Sequence, residues 1–368
     1  MKLVKIYPHK IPKSQNNFKK AQRNNFTMEE IANGPPVKFI NLGLQGGGAH
    51  GAFTWGVLDR LLQEDGLRIR GISGTSAGAM NAAVLASGYA NSGKSGARDA
   101  LDRYWRKISE AARYSPFQRS FFDRFLGKWT LDYSAAYAFA DVMGRVMSPY
   151  DLPTSSFNPM QSILDEIIDF KALVNGPIKL FITATNVATG RGRVFLSSEI
   201  TSEVLLASAC LPTIFRAVEI DGEYYWDGGY SGNPTLLPLI EACDAEDTLI
   251  VQINPYVRRD LPTNARDIIS RVNEISFNAV LVKELKYLAL LRRVSGENAQ
   301  YEFWKKQRIH LLKSEFMLEL GVSSKMNAEW DFLIMLRDEG RKVAENFLRR
   351  HSKDIGKIST YDIEQHLS

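Results

Sequence analysis

Cysteine is scarce in this chain, since only Cys210 and Cys243 occur among its 368 residues. Two cysteines cannot build the disulfide framework of a small secreted domain, and their spacing fits no pattern of metal ligands. We therefore expect reduced thiols and no metal site.

Long apolar runs are absent as well. No stretch reaches about 18 apolar residues, which is the length needed to span a bilayer. The N-terminus is polar and lacks the apolar core of a secretory signal. The sequence therefore predicts a cytoplasmic protein whose contact with membranes is peripheral, and export by a route that needs no such signal stays open.

Acidic residues are missing from the first 25 positions, although the chain as a whole has a net charge of only +5. No basic stripe continues into a recognisable nucleic-acid-binding module, so we expect no nucleic-acid partner. We interpret residues 1–36, which end in Gly-Pro-Pro, as a flexible basic arm that could attach to an anionic membrane surface. Its basic residues include Lys2, Lys5, Lys10, Lys13, Lys19, Lys20 and Arg23.

What the sequence does contain is a series of short apolar runs separated by helical segments. Runs rich in β-branched residues, bounded by turn residues, are typical of buried strands in a parallel sheet. The alternation predicts an α/β fold with a mainly parallel central sheet. The predicted strands are 37–44, 69–73, 178–186, 194–196, 224–226, 248–253 and 309–312, and the predicted helices include 53–63, 77–86 and 201–210. Beyond Pro255 the chain turns mostly helical, with long helices predicted over 265–293 and 329–351.

Three consecutive glycines, Gly46, Gly47 and Gly48, follow the first predicted strand. Their N–H groups can form a concavity that binds anions. The spacing fits neither the dinucleotide fingerprint nor the P-loop, so the functional readings are a phosphate cradle or an oxyanion hole. A Gly-rich connector is the alternative without a function.

Ser76 lies in the sequence Gly74-Thr75-Ser76-Ala77-Gly78, between a predicted strand and a predicted helix. This G-x-S-x-G pattern is typical of a nucleophile elbow, a sharp turn that exposes a serine oxygen at the start of a helix. The alternative is a tight turn whose serine only caps the helix. A glycine loop about thirty residues earlier favours acyl transfer, because a tetrahedral intermediate needs backbone donors beside its nucleophile.

Asp227 ends the short aromatic strand at 224–226 and is followed by Gly228 and Gly229. An acid at a strand end has room around it and suits an active site, whereas an ordinary Asp-Gly turn would look the same.

A serine nucleophile usually needs a base, and histidine is the common choice. Of the five histidines, only His310 and His351 follow Ser76 and Asp227 in a plausible order and setting, and neither has a distinctive local motif. The leading alternative is that Asp227 itself takes the serine proton, which would make a Ser-Asp dyad.

Together, the glycine loop, the elbow and Asp227-Gly228-Gly229 resemble the motifs of the patatin-like phospholipases. The resemblance covers roughly residues 37–253, includes Asn233-Pro234 and places the catalytic domain at residues 37–255. It implies a three-layer α/β/α fold, Ser76 as nucleophile, Asp227 as base and an oxyanion hole at Gly46, Gly47 and Gly48. The flanking residues His50, Gly51, Gly74, Gly78, Gly228 and Gly229 would support these motifs. It also implies hydrolysis of acyl esters without a metal or a cofactor.

One position departs from the family pattern. His50 stands where the family usually has Arg or Lys, so a fixed positive charge is replaced by a group that titrates near neutral pH. We expect the activity to persist and the pH dependence or the preference for anionic lipids to differ.

Residues 97–150, which follow an expected polar loop at 91–96, interleave basic residues with aromatic ones. Such a mixture suits a lid or a membrane-facing insertion, with rings at headgroup depth and cations on lipid phosphates. The alternative is that the aromatic residues pack on the core. Residues 256–368 would form a mostly helical region packed on the catalytic domain.

The sequence thus predicts a serine acyl hydrolase of lipid esters, with a lipid or phospholipid as substrate. The alternatives are a hydrolase of another ester and a non-catalytic lipid-binding protein of the same fold. The sequence gives no indication of the oligomeric state.

Overall fold

The structure is a computed structural model that describes residues 37–151, 158–294 and 302–367. The predicted basic arm, residues 1–36, therefore lies outside the described residues.

A central sheet of eight strands organises the described chain. The strands are β1 Lys38–Leu44, β2 Leu67–Gly74, β3 Lys179–Asn186, β4 Gly192–Leu196, β5 Val218–Ile220, β6 Glu223–Asp227, β7 Asp247–Val251 and β8 Arg308–Leu312. Their order is β5-β6-β3-β2-β1-β7-β8, and β4 pairs with β3 outside this path. The pairs within β3-β2-β1-β7-β8 are all parallel, whereas β4, β5 and β6 join by antiparallel pairs. The predicted mainly parallel sheet is confirmed.

Helices cover both faces of this sheet. They are α1 Gly51–Leu61, α2 Ala77–Ala112, α3 Phe121–Phe125, α4 Ala135–Val146, α5 Pro159–Ile167, α6 Phe170–Asn175, α7 Ser202–Ser208, α8 Leu237–Ala242, α9 Ala265–Val294, α10 Glu302–Lys306, α11 Trp330–His351 and α12 Ile363–Leu367.

The sheet separates two apolar layers. On one face, Leu249 and Val251 of β7 join a large core that includes Phe53 of α1 and Phe332 of α11. On the other face, Ile250 of β7 packs with side chains of α8 and α9. Successive residues of β7 thus point to opposite faces, as strand geometry requires. The three-layer α/β/α fold is confirmed.

The C-terminal region is built into this architecture. Strand β8 extends the sheet beside β7, and α11 lies against α1 so closely that only glycine fits at two positions. A Cβ at Gly56 would lie 1.8 Å from the carbonyl oxygen of Arg337, and one at Gly340 would lie 2.0 Å from that of Phe53.

One local prediction was wrong, and one strand was missed. The expected loop at 91–96 is a kink within α2, where Ser92 and Gly93 leave helical geometry before the helix resumes. Strand β5 was missed, because its three residues are too few to show an alternating pattern.

The segment predicted as a lid divides into a core part and a surface part. Tyr104 and Trp105, on the second half of α2, are buried at 3% and 2% exposure, as expected if these aromatic residues pack on the core. Phe121, Phe122 and Phe125 on α3 are instead 76%, 64% and 77% exposed. None of the described helices is both long enough and apolar enough to cross a bilayer.

Candidate active site

Ser76 occupies the sharp turn between β2 and α2. Its backbone has φ 54° and ψ −123°, a strained conformation for a residue with a side chain. Its N–H donates to Ser208 Oγ at 2.9 Å, and Ser208 in turn donates to the carbonyl of Thr183 at 2.7 Å. Ser76 is only 8% exposed. The sharp strand-to-helix turn expected from G-x-S-x-G is therefore present, and the buried Ser208 hydroxyl holds its backbone.

Asp227 reaches Ser76 because β6 is short. Strand β6 pairs only with the last three residues of β3, so that Asp227 lies opposite Ala184. In the same strand β3, Ile182 lies opposite Gly74, where β2 ends. The antiparallel strand thus places its final residue at the edge of the sheet where the turn to Ser76 begins, and the Ser76 hydroxyl lies close enough to the Asp227 carboxylate to lower its pKa.

Burial sets the ionisation of Asp227, which is 1% exposed. Desolvation raises the pKa of its carboxyl to about 7, and this rise outweighs the hydrogen bond from the Gly229 N–H, the nearby Ser76 hydroxyl and the charge of Lys325, all of which lower the pKa. The Gly229 N–H donates to Asp227 Oδ1 at 2.7 Å. The carboxyl therefore titrates near neutral pH, where a general base works best.

The glycine loop lies directly over the elbow. A Cβ at Gly46 would come within 2.6 Å of Ser76 Cβ. The N–H of Gly46 donates to Asn233 Oδ1 at 2.6 Å, so the prediction of three oxyanion donors needs correction, because this donor is already engaged. Among the described residues, the N–H groups of Gly47 and Gly48 have no acceptor.

The supporting glycines are positions where the chain passes too close for a side chain. A Cβ at Gly78 would lie 2.3 Å from the carbonyl oxygen of Leu44, and one at Gly228 would lie 2.0 Å from that of Thr183. A Cβ would also overlap neighbours within 3 Å at Gly51, Gly74 and Gly229. The motifs thus bring β1, β2 and β3 into contact at one edge of the sheet.

His50 is buried and neutral. Burial, aided by the charge of Lys325, holds the pKa of its imidazole well below 6.5. Its Nε2 shares a hydrogen bond of 2.7 Å with Ser324 Oγ, and its ring meets Phe332 edge-on. His50 therefore connects the glycine loop to the C-terminal region and carries no charge at neutral pH.

The alternative bases are engaged elsewhere. Both ring nitrogens of His310 are hydrogen-bonded, Nε2 to Asp247 at 3.0 Å and Nδ1 to Thr360 at 2.9 Å. His351 pairs with Asp354 at 2.8 Å. The structure brings Asp227, and neither of these histidines, to Ser76. No cluster of three or more His, Cys, Asp or Glu side chains suited to a metal occurs within the described residues.

Several residues of the site have no sequence signal. Gln45 accepts from the N–H groups of Ile253 and Asn254 at 2.9 and 2.8 Å and so joins the glycine loop to the end of β7. Ser208 lies in an ordinary helix, and Lys325 lies 249 positions after Ser76. Only an alignment of relatives could have marked these positions.

The chain is similar to one family model and to several solved structures. Residues 42–240 match the family model described as patatin-like phospholipase. VipD from Legionella pneumophila is similar at 15% identity and a TM-score of 0.39, over 86% of this chain and 67% of that one. The type III effector ExoU is similar at 15% identity and a TM-score of 0.33, over 86% of this chain and 53% of that one. ExoU from Pseudomonas aeruginosa in its complex with SpcU is similar at 18% identity and a TM-score of 0.26, over 90% of this chain and 65% of that one. No curated protein sequence matches the chain.

Proposed function

The chain belongs to the patatin-like phospholipase family, and from this we propose that it is a serine acyl hydrolase of lipid esters, of the phospholipase A or lysophospholipase type. The observation that carries the proposal is that the Ser76 hydroxyl, at a strained strand-to-helix turn, lies beside the buried carboxylate of Asp227.

Asp227 acts as the base in the proposed reaction. It takes the proton of the Ser76 hydroxyl as the oxygen attacks the acyl carbonyl, and returns it to the leaving alcohol. The acyl group stays on Ser76 until water, activated by the same carboxylate, releases the fatty acid and restores the serine. Each turnover consumes one ester and one water and yields one acid and one alcohol.

Backbone amides stabilise the negative charge that develops on the carbonyl oxygen. The N–H groups of Gly47 and Gly48 lack acceptors among the described residues and lie in the loop over Ser76. The start of α2, directly after Ser76, adds the positive end of a helix dipole. Donors fixed in advance in a buried site stabilise an oxyanion strongly, because they need no reorganisation during the reaction.

A fluorophosphonate probe tests the proposal directly. We expect the probe to label the purified protein on Ser76, as located by mass spectrometry, and the protein to release fatty acid from phospholipid vesicles. Release from a neutral lipid or a thioester alone would shift the assignment to another ester. An unlabelled Ser76 in the presence of vesicles would favour a lipid-binding protein without turnover.

The exposed rings of α3 suit insertion into a membrane interface. Phe121, Phe122 and Phe125 project from one short helix beside the exposed cations Arg124 and Lys128. Ser120 and Asp123 form a reciprocal capping box that holds this helix without using the rings. Rings at headgroup depth with cations on lipid phosphates would bring the substrate to the site.

Replacement of these three phenylalanines by serine should weaken membrane binding at least tenfold. Each buried ring contributes about 1.5–3 kcal/mol of transfer free energy, so most of the apolar attachment would be lost. Flotation with anionic liposomes measures the effect, and hydrolysis of a short soluble ester should stay unchanged.

A matched control replaces Tyr287, Leu290 and Val294 by serine. These residues are 49%, 46% and 63% exposed on α9, away from the capped helix. Flotation should stay at the wild-type level in this variant. Equal losses in both triple variants, or none in the α3 variant, would exclude α3 as the membrane contact.

A further inference from the structure

Lys325 lies outside the residues that match the family model and yet contacts the glycine loop. It belongs to the 3-10 segment Val322–Met326, between β8 and α11. A Cβ at Gly48, which has φ +58°, would lie 2.5 Å from the carbonyl oxygen of Lys325. The backbone of the C-terminal region thus rests directly on one of the two residues with free N–H groups.

The Lys325 side chain continues this contact through a short chain of hydrogen bonds. Its Nζ donates to Asn254 Oδ1 at 2.8 Å, and Asn254 Nδ2 donates to the carbonyl of Gly46, also at 2.8 Å. Asn254 is 1% exposed. The ammonium group therefore helps to fix the loop whose next two amides are the proposed oxyanion donors.

Lys325 interacts with two carboxylates, Glu274 and, more weakly, Asp227. The nearby carboxylate Glu274 is 4% exposed and already meets two guanidinium groups, Arg258 at 2.7 Å and Arg271 at 3.1 Å. Glu274 still raises the pKa of Lys325, although these two cations share its charge. The positive charge of Lys325 acts on Asp227 and lowers the pKa of its carboxyl, opposing the effect of burial.

The other titratable groups that face Asp227 are neutral at pH 7. Burial raises the pKa of the Cys210 thiol to about 12 and raises that of the Tyr230 phenol, and the negative charge of Asp227 adds to both shifts.

Burial lowers the pKa of Lys325 itself. Glu274 opposes that shift, Arg258 adds to it and Asp227 opposes it.

We propose that Lys325 is a positioning residue of the Ser76 site, holding the glycine loop through Asn254 and stabilising the ionised Asp227 by its charge. The inference rests on the proposed function. It also gives the C-terminal region a role in the reaction, because the cation that the loop lacks at His50 is supplied by a residue 275 positions later.

Labelling rates measured against pH test the two parts of this role. In the wild type, the rate of fluorophosphonate labelling should rise with pH through a midpoint near 7, the pKa of Asp227. Lys325→Met should slow labelling at pH 7 about tenfold and move the midpoint up by about one unit, because a nearby opposite charge is removed. Lys325→Arg keeps the charge and should keep the midpoint.

Lys313→Met is the matched control, since this lysine is exposed and pairs only loosely, at 3.6 Å, with Glu315. It should reproduce the wild-type rate and midpoint. A Lys325→Met protein with an unchanged midpoint would overturn the inference, whether its labelling were slow or fast, since a purely structural role would leave the midpoint in place.

Thermal unfolding separates this inference from the proposed function, since it needs no turnover. The Tm deficit of Lys325→Met should be larger at pH 8.5 than at pH 5.5 by about 2 °C or more, because only the ionised Asp227 profits from the cation. In an Asp227→Asn background this pH dependence should vanish. A deficit that is the same at both pH values would overturn the inference. If instead the wild type is not labelled but the pH-dependent deficit is seen, the proposed function fails alone.

Discussion

Ser76→Ala is expected to abolish labelling and to reduce lipid hydrolysis by a factor of about 10³ or more, because in the proposed mechanism no other group forms the acyl-enzyme. The protein should fold normally, since alanine at this position keeps both the backbone and the hydrogen bond from its N–H to Ser208. Fatty-acid release from vesicles, with near-ultraviolet circular dichroism as the check on folding, measures both effects.

Ser76→Gly sharpens the same prediction. Glycine accepts φ 54° without strain, so this variant should be as inactive as Ser76→Ala and more stable than wild type by about 1–3 kcal/mol. Ser87→Ala is the control, since Ser87 is a buried serine of the same helix α2, bonded to the N–H of Asp169. It should keep full activity. Substantial hydrolysis by Ser76→Gly would exclude Ser76 as the nucleophile.

Asp227→Asn is expected to lower hydrolysis by about 10²–10⁴-fold, the usual contribution of a general base. An amide can still accept from the Gly229 N–H and the Ser76 hydroxyl but cannot take a proton. Near-wild-type hydrolysis by this variant would rule out the dyad and favour a histidine as the base.

The same substitution should stabilise the protein, and the gain should depend on pH. The folded protein holds a proton on Asp227 up to about pH 7, whereas the unfolded chain releases it near 3.8. Wild-type stability therefore falls as pH rises through this window, and Asp227→Asn does not share the loss. The difference in unfolding free energy should grow from pH 4 to pH 8, to at most about 4 kcal/mol for the shift to a pKa of about 7.

Urea unfolding at pH 4 and pH 8 measures this difference. Asp99→Asn, at an exposed position of α2, is the control and should change stability by no more than about 0.5 kcal/mol at either pH. If Asp227→Asn does not raise the unfolding free energy at pH 8, the Asp227 carboxyl carries no buried charge at that pH.

Local patterns in the chain predicted most of the elements and the main functional candidates. Gly-x-Ser-x-Gly predicted the elbow because only small residues fit around such a turn, and the contacts of Gly78 with Leu44 show the reason. The long helix 265–293 and the strand 178–186 were predicted to within a residue or two, since both have long, unbroken patterns. The kink at Ser92–Gly93 was mistaken for a loop, because polar and glycine residues look alike in both settings.

The sequence by itself determined which residues are candidates for the chemistry: a serine at a predicted sharp turn, an acid at a predicted strand end and a run of three glycines. Only the tertiary structure decided which of them meet. Asp227 reaches Ser76 because β6 stops after three pairs with β3, the Gly46 amide is already engaged by Asn233, and Lys325 arrives from the far end of the chain. These outcomes depend on strand register and on burial between distant segments, and neither is encoded in any local pattern of residues.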